Sequence, residues 1–178
     1  MRKSWILMGI LVAAFAMAAA PLRVCAQAKA GAAAGADAKA EIEALEKQYI
    51  DAFNARDLKA IMACYAPGKA LFVFDAVPPR EYASWEAYKK DWEELFVAYP
   101  GPISNAISEQ SITVVGPVAY GHNIQAGYFT RKDGTRVDWA VRVTDVYRKI
   151  KGKWLIAHEH VSFPVDIDSG KADLLSKP

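Results

Sequence analysis

The stretch TDVYRKIKGKWLIAHEHVS, Thr144 to Ser162, decides how the chain is read. It holds two runs of alternating side chains around a Lys151-Gly152 turn, the mark of an antiparallel hairpin. Successive strand residues face opposite sides. On the second strand His158, His160 and Ser162 share one face, and Leu155, Ala157, Glu159, Val161 and Phe163 the other. A two-residue loop would put Lys151 at positive φ, so a three-residue loop, Ile150-Lys151-Gly152, is expected. That loop sets Asp145 opposite Ala157 and Val143 opposite Glu159, so the apolar odd-numbered sets meet and face the core. His158 and His160 then point away from any pocket, beside Arg142 and Thr144. Glu159 points in, where an acid on an apolar face is either a functional group with a shifted pKa or a satisfied structural one.

Upstream, Gly116-Pro117 and Asp133-Gly134 divide residues 103–149 into three more strands, 103–115, 117–131 and 135–149. Taking Asp133-Gly134 as a two-residue turn pairs Lys132 with Thr135, and so His122 with Asp145. His122 is then expected in the pocket, together with Val118, Tyr120, Ile124, Ala126 and Tyr128. Helices precede the strands. Ile42, Leu45, Tyr49, Ala52, Phe53 and Arg56 recur at helical spacing, giving a helix over roughly 38–55. Asp57 is placed to cap a second helix, and Ser84 a third that carries Trp85, Tyr88, Trp92, Leu95 and Phe96 on one face. Between these two lies a short strand, ALFVFD, ending on Asp75. Helices followed by a meander imply an α+β domain, with helices packed on one face of a curved antiparallel sheet.

The ends are read separately. Met1-Arg2-Lys3, an apolar run from Trp5 to Leu22 and the small-residue site Ala26-Gln27-Ala28 predict a signal peptide over residues 1–28. Residues 29–38, rich in alanine and glycine, are expected to form a flexible tether, the domain to span 39–168, and 169–178 to be a tail. Removal of the signal leaves 19 basic residues against 20 acidic ones, so no basic field points to nucleic acid. It also leaves Cys64 without an intrachain partner, in an apolar run where it reads as a small buried hydrophobe. A periplasmic or secreted protein with no membrane segment after cleavage is expected.

The order helix, ARDLKAIMACYA, FVFDAVPP, Trp-rich helix, meander and GKWLIAHEHVS resembles the nuclear-transport-factor-2-like superfamily, which includes ketosteroid isomerase, SnoaL-type cyclases and the association domain of calcium/calmodulin-dependent kinase. The resemblance covers about residues 41–163 and implies a cone-shaped, curved antiparallel sheet wrapped around the N-terminal helices. QYIDAFNARD resembles the isomerase helix bearing the oxyanion-hole tyrosine, which implies that role for Tyr49. FVFDAVPP implies a general base at Asp75, and TDVYRK a protonated oxyanion donor at Asp145. Trp85, Trp92 and Trp139 are expected as flat walls for an apolar substrate, with His122 and Glu159 beside it.

Two function classes follow. One is cofactor-free acid–base catalysis of the isomerase, cyclase or dehydratase type on a hydrophobic carbonyl compound, with Asp75, Tyr49 and Asp145 as its centre. The other is a non-catalytic binding or oligomerisation module acting through Arg142, Thr144, His158 and His160. A homodimer joined by the outer sheet face is implied by the resemblance. A metal site at His158 and His160 with Asp138 is a minor third reading. No glycine-rich phosphate loop and no nucleophile elbow is present.

Overall fold

The computed structural model describes residues 22–176, with side chains from residue 35 onward. Most of the expected signal peptide, residues 1–21, therefore lies outside the described residues. Helix α1 runs Leu22–Asn54 and is continuous through residues 29–38, where a flexible tether was expected. Six of those ten residues are alanine, the strongest helix former, against two glycines that each cost about 1 kcal/mol. α1 buries Ile42, Leu45, Glu46, Tyr49, Ala52 and Phe53, one stripe at helical spacing. Asp57 caps the short helix α2 (Leu58–Met62) by accepting from Ala60 N, and Ser84 caps α3 (Trp85–Ala98) by accepting from Ala87 N. Between them lies strand β1 (Phe72–Phe74).

The meander follows as β2 (Ser104–Val115), β3 (Val118–Thr130), β4 (Arg136–Ile150) and β5 (Lys153–Ser162). The sheet order is β1-β5-β4-β3-β2, antiparallel except that β1 lies parallel to β5. The sheet is curved and unclosed, and α1 and α3 cover its concave face. Aromatic residues Tyr49, Phe53, Tyr65, Tyr88, Trp92 and Trp139 fill the space between. A two-stranded hairpin, β6 (Val165–Asp166) and β7 (Lys171–Ala172), follows. It returns the chain so that Ala140 N donates to Leu174 O. Among the described residues no helix is long and apolar enough to cross a membrane.

Both hairpins correct the expected registers. The β4–β5 turn has two residues, not three, with Lys151 at φ 49° and Gly152 at φ 83°. Ile150 pairs with Lys153, so Tyr147 meets Ile156 rather than Leu155. Trp154 and Ile156 therefore face inward at this end. A bulge at Ala157 then shifts the register, and Asp145 pairs with Glu159. Beyond the bulge the odd residues face the core, as expected, and the histidines face out.

No bulge rescues β3. Thr130 pairs with Arg136, so His122 sits opposite Thr144, and Gly121 opposite Asp145. One residue of register exchanges the two faces. His122 and Tyr120 are on the exposed convex face, while Ala119, Asn123 and Gln125 are buried in the cone. The curved sheet is tightest where β2 crosses β3. A Cβ on Gly127 would lie 1.9 Å from Ser104 O, and one on Gly121 2.8 Å from Ser111 O. Only glycine fits at these inward-facing positions.

Candidate active site in the cone

A cavity of about 240 Å³ opens between α1, α3 and the concave face. Tyr49 and Phe53 enter it from α1, Tyr88, Asp91 and Trp92 from α3, Trp139, Val141 and Val143 from β4, and Glu159 and Val161 from β5. Asp75 reaches it from the end of β1, with Asn105 and Gln125 on the far side and Leu174 of the C-terminal segment at its edge. Of the residues expected here, the structure brings together Tyr49, Asp75, Trp92, Trp139 and Glu159. The other three lie elsewhere. His122 is on the convex face. Trp85 is turned to the backbone, its Nε1 donating to Met62 O at 2.8 Å. Asp145 is buried but is not on the cavity wall.

Glu159 is the best-held acid. Tyr88 Oη donates to its Oε1 at 2.8 Å, and Tyr65 Oη lies 3.2 and 3.1 Å from its two oxygens. Burial nonetheless pushes its pKa up to about 8, because taking the charge out of water outweighs the tyrosine hydrogen bonds. Asp75 is pushed up to about 6, again by burial, and is partly pulled back by the Ala76 N–H, 2.5 Å from its Oδ1. Asp91 also faces the cavity and accepts from Tyr82 Oη at 2.5 Å. Burial raises its pKa as well.

Behind the wall lies a second layer. Tyr147 Oη donates to Glu46 Oε1 at 2.7 Å and lies 3.3 Å from Asp145 Oδ2. Burial pushes Glu46 up to about 7, and burial followed by the Glu159 charge pushes Asp145 well above the usual carboxylate range. A phenol has one proton to give. A neutral Asp145 donating from Oδ2 to the Tyr147 oxygen, with Tyr147 donating to Glu46, links the three groups and leaves Asp145 Oδ1 without a partner. Asp145 and Glu159 are also direct cross-strand neighbours, where two like charges repel. Burial shifts Asp145 in the direction the resemblance implies, but its side-chain hydrogen-bond contact is to Tyr147.

Sequence reasoning missed Glu46, Tyr65, Tyr88, Asn105 and Gln125. Glu46 had a signal: it lies four residues after Ile42 and three before Tyr49, on the apolar stripe of α1. Gln125 had one too, since odd positions of β3 carry Gly121 and Gly127, the residues a crowded face requires. Tyr65 and Tyr88 look in the sequence like ordinary core aromatics. Among the described residues no group of three or more His, Cys, Asp or Glu is placed to hold a metal ion. Asp138 is instead paired with Arg136.

The SnoaL-like domain family matches residues 42–166. An NTF2-like protein of unknown function from Pseudomonas putida shares 28% identity at a TM-score of 0.72, over 80% of this chain and 98% of that one. A proposed calcium/calmodulin-dependent protein kinase II association domain from Xanthomonas campestris shares 24% identity at a TM-score of 0.60, over 68% and 84%. A proposed dehydratase of the NTF2-like family from Streptomyces avermitilis shares 13% at a TM-score of 0.60, over 68% and 93%, a likeness of fold. No curated protein matches the chain. With the family spanning helix α1 to the end of the meander, and the cone of that fold present in the structure, the chain belongs to the SnoaL-like family of the NTF2-like superfamily.

Proposed function

We propose that the cone is a small-molecule site for cofactor-free acid–base chemistry, of the isomerase, cyclase or dehydratase type, on an apolar carbonyl compound. One observation carries this reading: two buried carboxyl groups, Asp75 and Glu159, line a single apolar cavity, and burial raises the pKa of both, that of Glu159 further. At pH 7 Asp75 is mostly ionised and can accept a proton from the carbon next to a carbonyl. The electron pair left on that carbon moves onto the carbonyl oxygen. The Tyr49 hydroxyl, kept neutral chiefly by burial, is a donor for that oxygen. Glu159, mostly protonated at the same pH, can return a proton at a second carbon. The bond shifts, the enolate collapses, and Asp75 later passes its proton back through Glu159 or water. Asp145 stands behind the wall as the cross-strand neighbour of Glu159. Trp92 and Trp139 supply the apolar walls.

The reading also keeps the chain as an exported homodimer. Export is supported by the basic start and apolar run of residues 2–22. Pairing is supported by the convex sheet face, where Val118 and Tyr120 are exposed at 40% and 53%. The similarity to the Xanthomonas association domain favours an assembly role for the same face.

The function is tested by extracting the protein from its native host, identifying the retained small molecule by mass spectrometry, and incubating it with enzyme in D2O. Wild type should place deuterium next to the carbonyl. Asp75→Asn should slow that exchange by about 100-fold or more at saturating ligand. An empty wild-type cavity, or equal exchange in both proteins, would count against acid–base catalysis.

A further inference from the structure

The chemistry of the cavity wall narrows the ligand further than its apolar character does. The wall carries three acids, Asp75, Asp91 and Glu159, and no lysine, arginine or histidine. Each acid is held as an acceptor, Asp75 by the Ala76 N–H, Asp91 by Tyr82 and Glu159 by Tyr65 and Tyr88. The Asn105 carboxamide lines the same cavity, is 3% exposed, and its Oδ1 has no hydrogen-bond partner. Its Nδ2 donates to Gln125 Oε1 at 2.7 Å. The remaining wall is largely aromatic, with Tyr49, Phe53, Trp92, Phe129 and Trp139, whose ring faces are the negative end of the ring quadrupole. The indole N–H groups of Trp92 and Trp139 are buried on the same wall without partners and suit a neutral acceptor such as a carbonyl oxygen, whereas the acids, the unpaired Asn105 oxygen and the aromatic faces complement positive charge.

We infer that the cavity selects an organic cation, a protonated or quaternary amine on an apolar carbonyl-bearing body, and rejects carboxylates and phosphates. The inference rests on the cone being a ligand site, as proposed above. It adds the charge that the ligand must bring. At pH 7 the empty cavity already holds the mostly ionised Asp75, with no basic side chain on the wall to answer it. A monocation supplies that answer, and ring faces bind it better than they bind a neutral isostere. Glu159 stays protonated, because a second negative charge beside the first is harder to form.

Apart from Tyr99, whose ring centroid lies 6.0 Å from the Arg131 guanidinium, the titratable groups in and behind the wall carry the same consequence. They are Glu46 and Tyr49 from α1, Tyr65 after α2, Asp75 after β1, Tyr82 before α3, Tyr88 and Asp91 in α3, Asp145 and Tyr147 in β4, and Glu159 in β5. Every one is an acid, and every one is shifted upward. Cation affinity therefore rises with pH as Asp75 ionises.

Isothermal titration of the purified protein with phenyltrimethylammonium, its neutral isostere tert-butylbenzene, and benzoate tests this. At pH 7.5 the cation should bind about tenfold more tightly than the isostere. That ratio should fall toward one at pH 5. It should also fall toward one in Asp75→Asn at pH 7.5, while that variant keeps its affinity for tert-butylbenzene, which shows an intact cavity. Tert-butylbenzene binding as tightly as the cation would overturn the inference and leave the pocket reading standing. So would benzoate binding tightest. Binding of none of the three would overturn both.

Discussion

The concave and convex faces of this one sheet are built from alternate residues of the same strands, yet they carry opposite chemistry. Along β5, Glu159 enters the cone and has almost no exposed surface, while His160 beside it is exposed. Along β4, Asp145 is buried and Thr144 is exposed. Asp145 and Glu159 lie inside, where ionisation is costly, and all three histidines lie on the convex side. Adjacent residues therefore differ more in consequence than residues many positions apart. Substitutions at neighbouring positions can test the two faces against each other.

The largest contrast should come from Gly127 and Ala126. Gly127→Ala places a methyl where Ser104 O already stands, 1.9 Å from the new Cβ. β2 must move away from β3, at a cost of about 3 kcal/mol. Ala126→Val, one residue earlier on the exposed face, should change stability by no more than about 0.5 kcal/mol. Urea denaturation of both variants measures the difference. Equal losses would mean that the concave face is not the crowded one.

The next contrast is in pH dependence. Glu159 has its folded pKa raised from 4.5 to about 8. Below the lower value both folded and unfolded states are protonated, and the group costs nothing. As pH rises through this window the unfolded chain ionises first, so stability falls by on the order of 1 kcal/mol per pH unit. Above the upper value the loss is complete. Glu159→Gln should remove this part of the slope and gain on wild type from pH 5 to pH 8. Thr144→Ser, on the convex face beside Asp145, should leave the slope unchanged. Thermal unfolding across that range reads both. A Glu159→Gln slope identical to wild type would show that Glu159 is ionised in the folded protein at pH 5.

How much of this was legible depends on parity, not on element detection. Turn residues marked all four long strands to within about a residue, because Gly and Pro punctuate a chain locally. Which face a strand presents is a different kind of information. It depends on counting loop residues, and an error of one reverses everything downstream. On β5 an error in the turn was offset by the bulge at Ala157, so Glu159 was correctly placed in the cone. On β3 the one-residue error stood, so His122 was expected inside, and Asn123 and Gln125 were overlooked. The pocket walls from α1 and α3 were legible because helical spacing needs no partner to define a face. The Tyr65–Glu159–Tyr88 arrangement joins residues up to 94 positions apart, and no local pattern announces it.

A smaller effect is expected at the open end of the cone. Leu174 lines the cavity while 40% exposed, carried there by the β6–β7 hairpin. Leu174→Ala should cost no more than about 1 kcal/mol, since so much of the side chain is already in water. Its main effect should be faster ligand release, because it widens the mouth and leaves the acids untouched. Stopped-flow dissociation of a bound probe checks this. An unchanged release rate would place the exit elsewhere.

The smallest effect is expected at His122. It sits on the convex face opposite Thr144, and its side chain takes no part in the core. His122→Ala should change monomer stability by no more than about 0.5 kcal/mol and leave ligand affinity unchanged. A register that placed His122 against Asp145 would instead leave a buried acid without its partner, and the loss would be several times larger. The same variant also bears on pairing through this face. If two chains meet there, the loss should appear as a shift in the concentration dependence of the unfolding midpoint, with the midpoint of the dilute protein unmoved. Measuring the midpoint at two protein concentrations a hundredfold apart separates a residue that holds two chains together from one that only meets water.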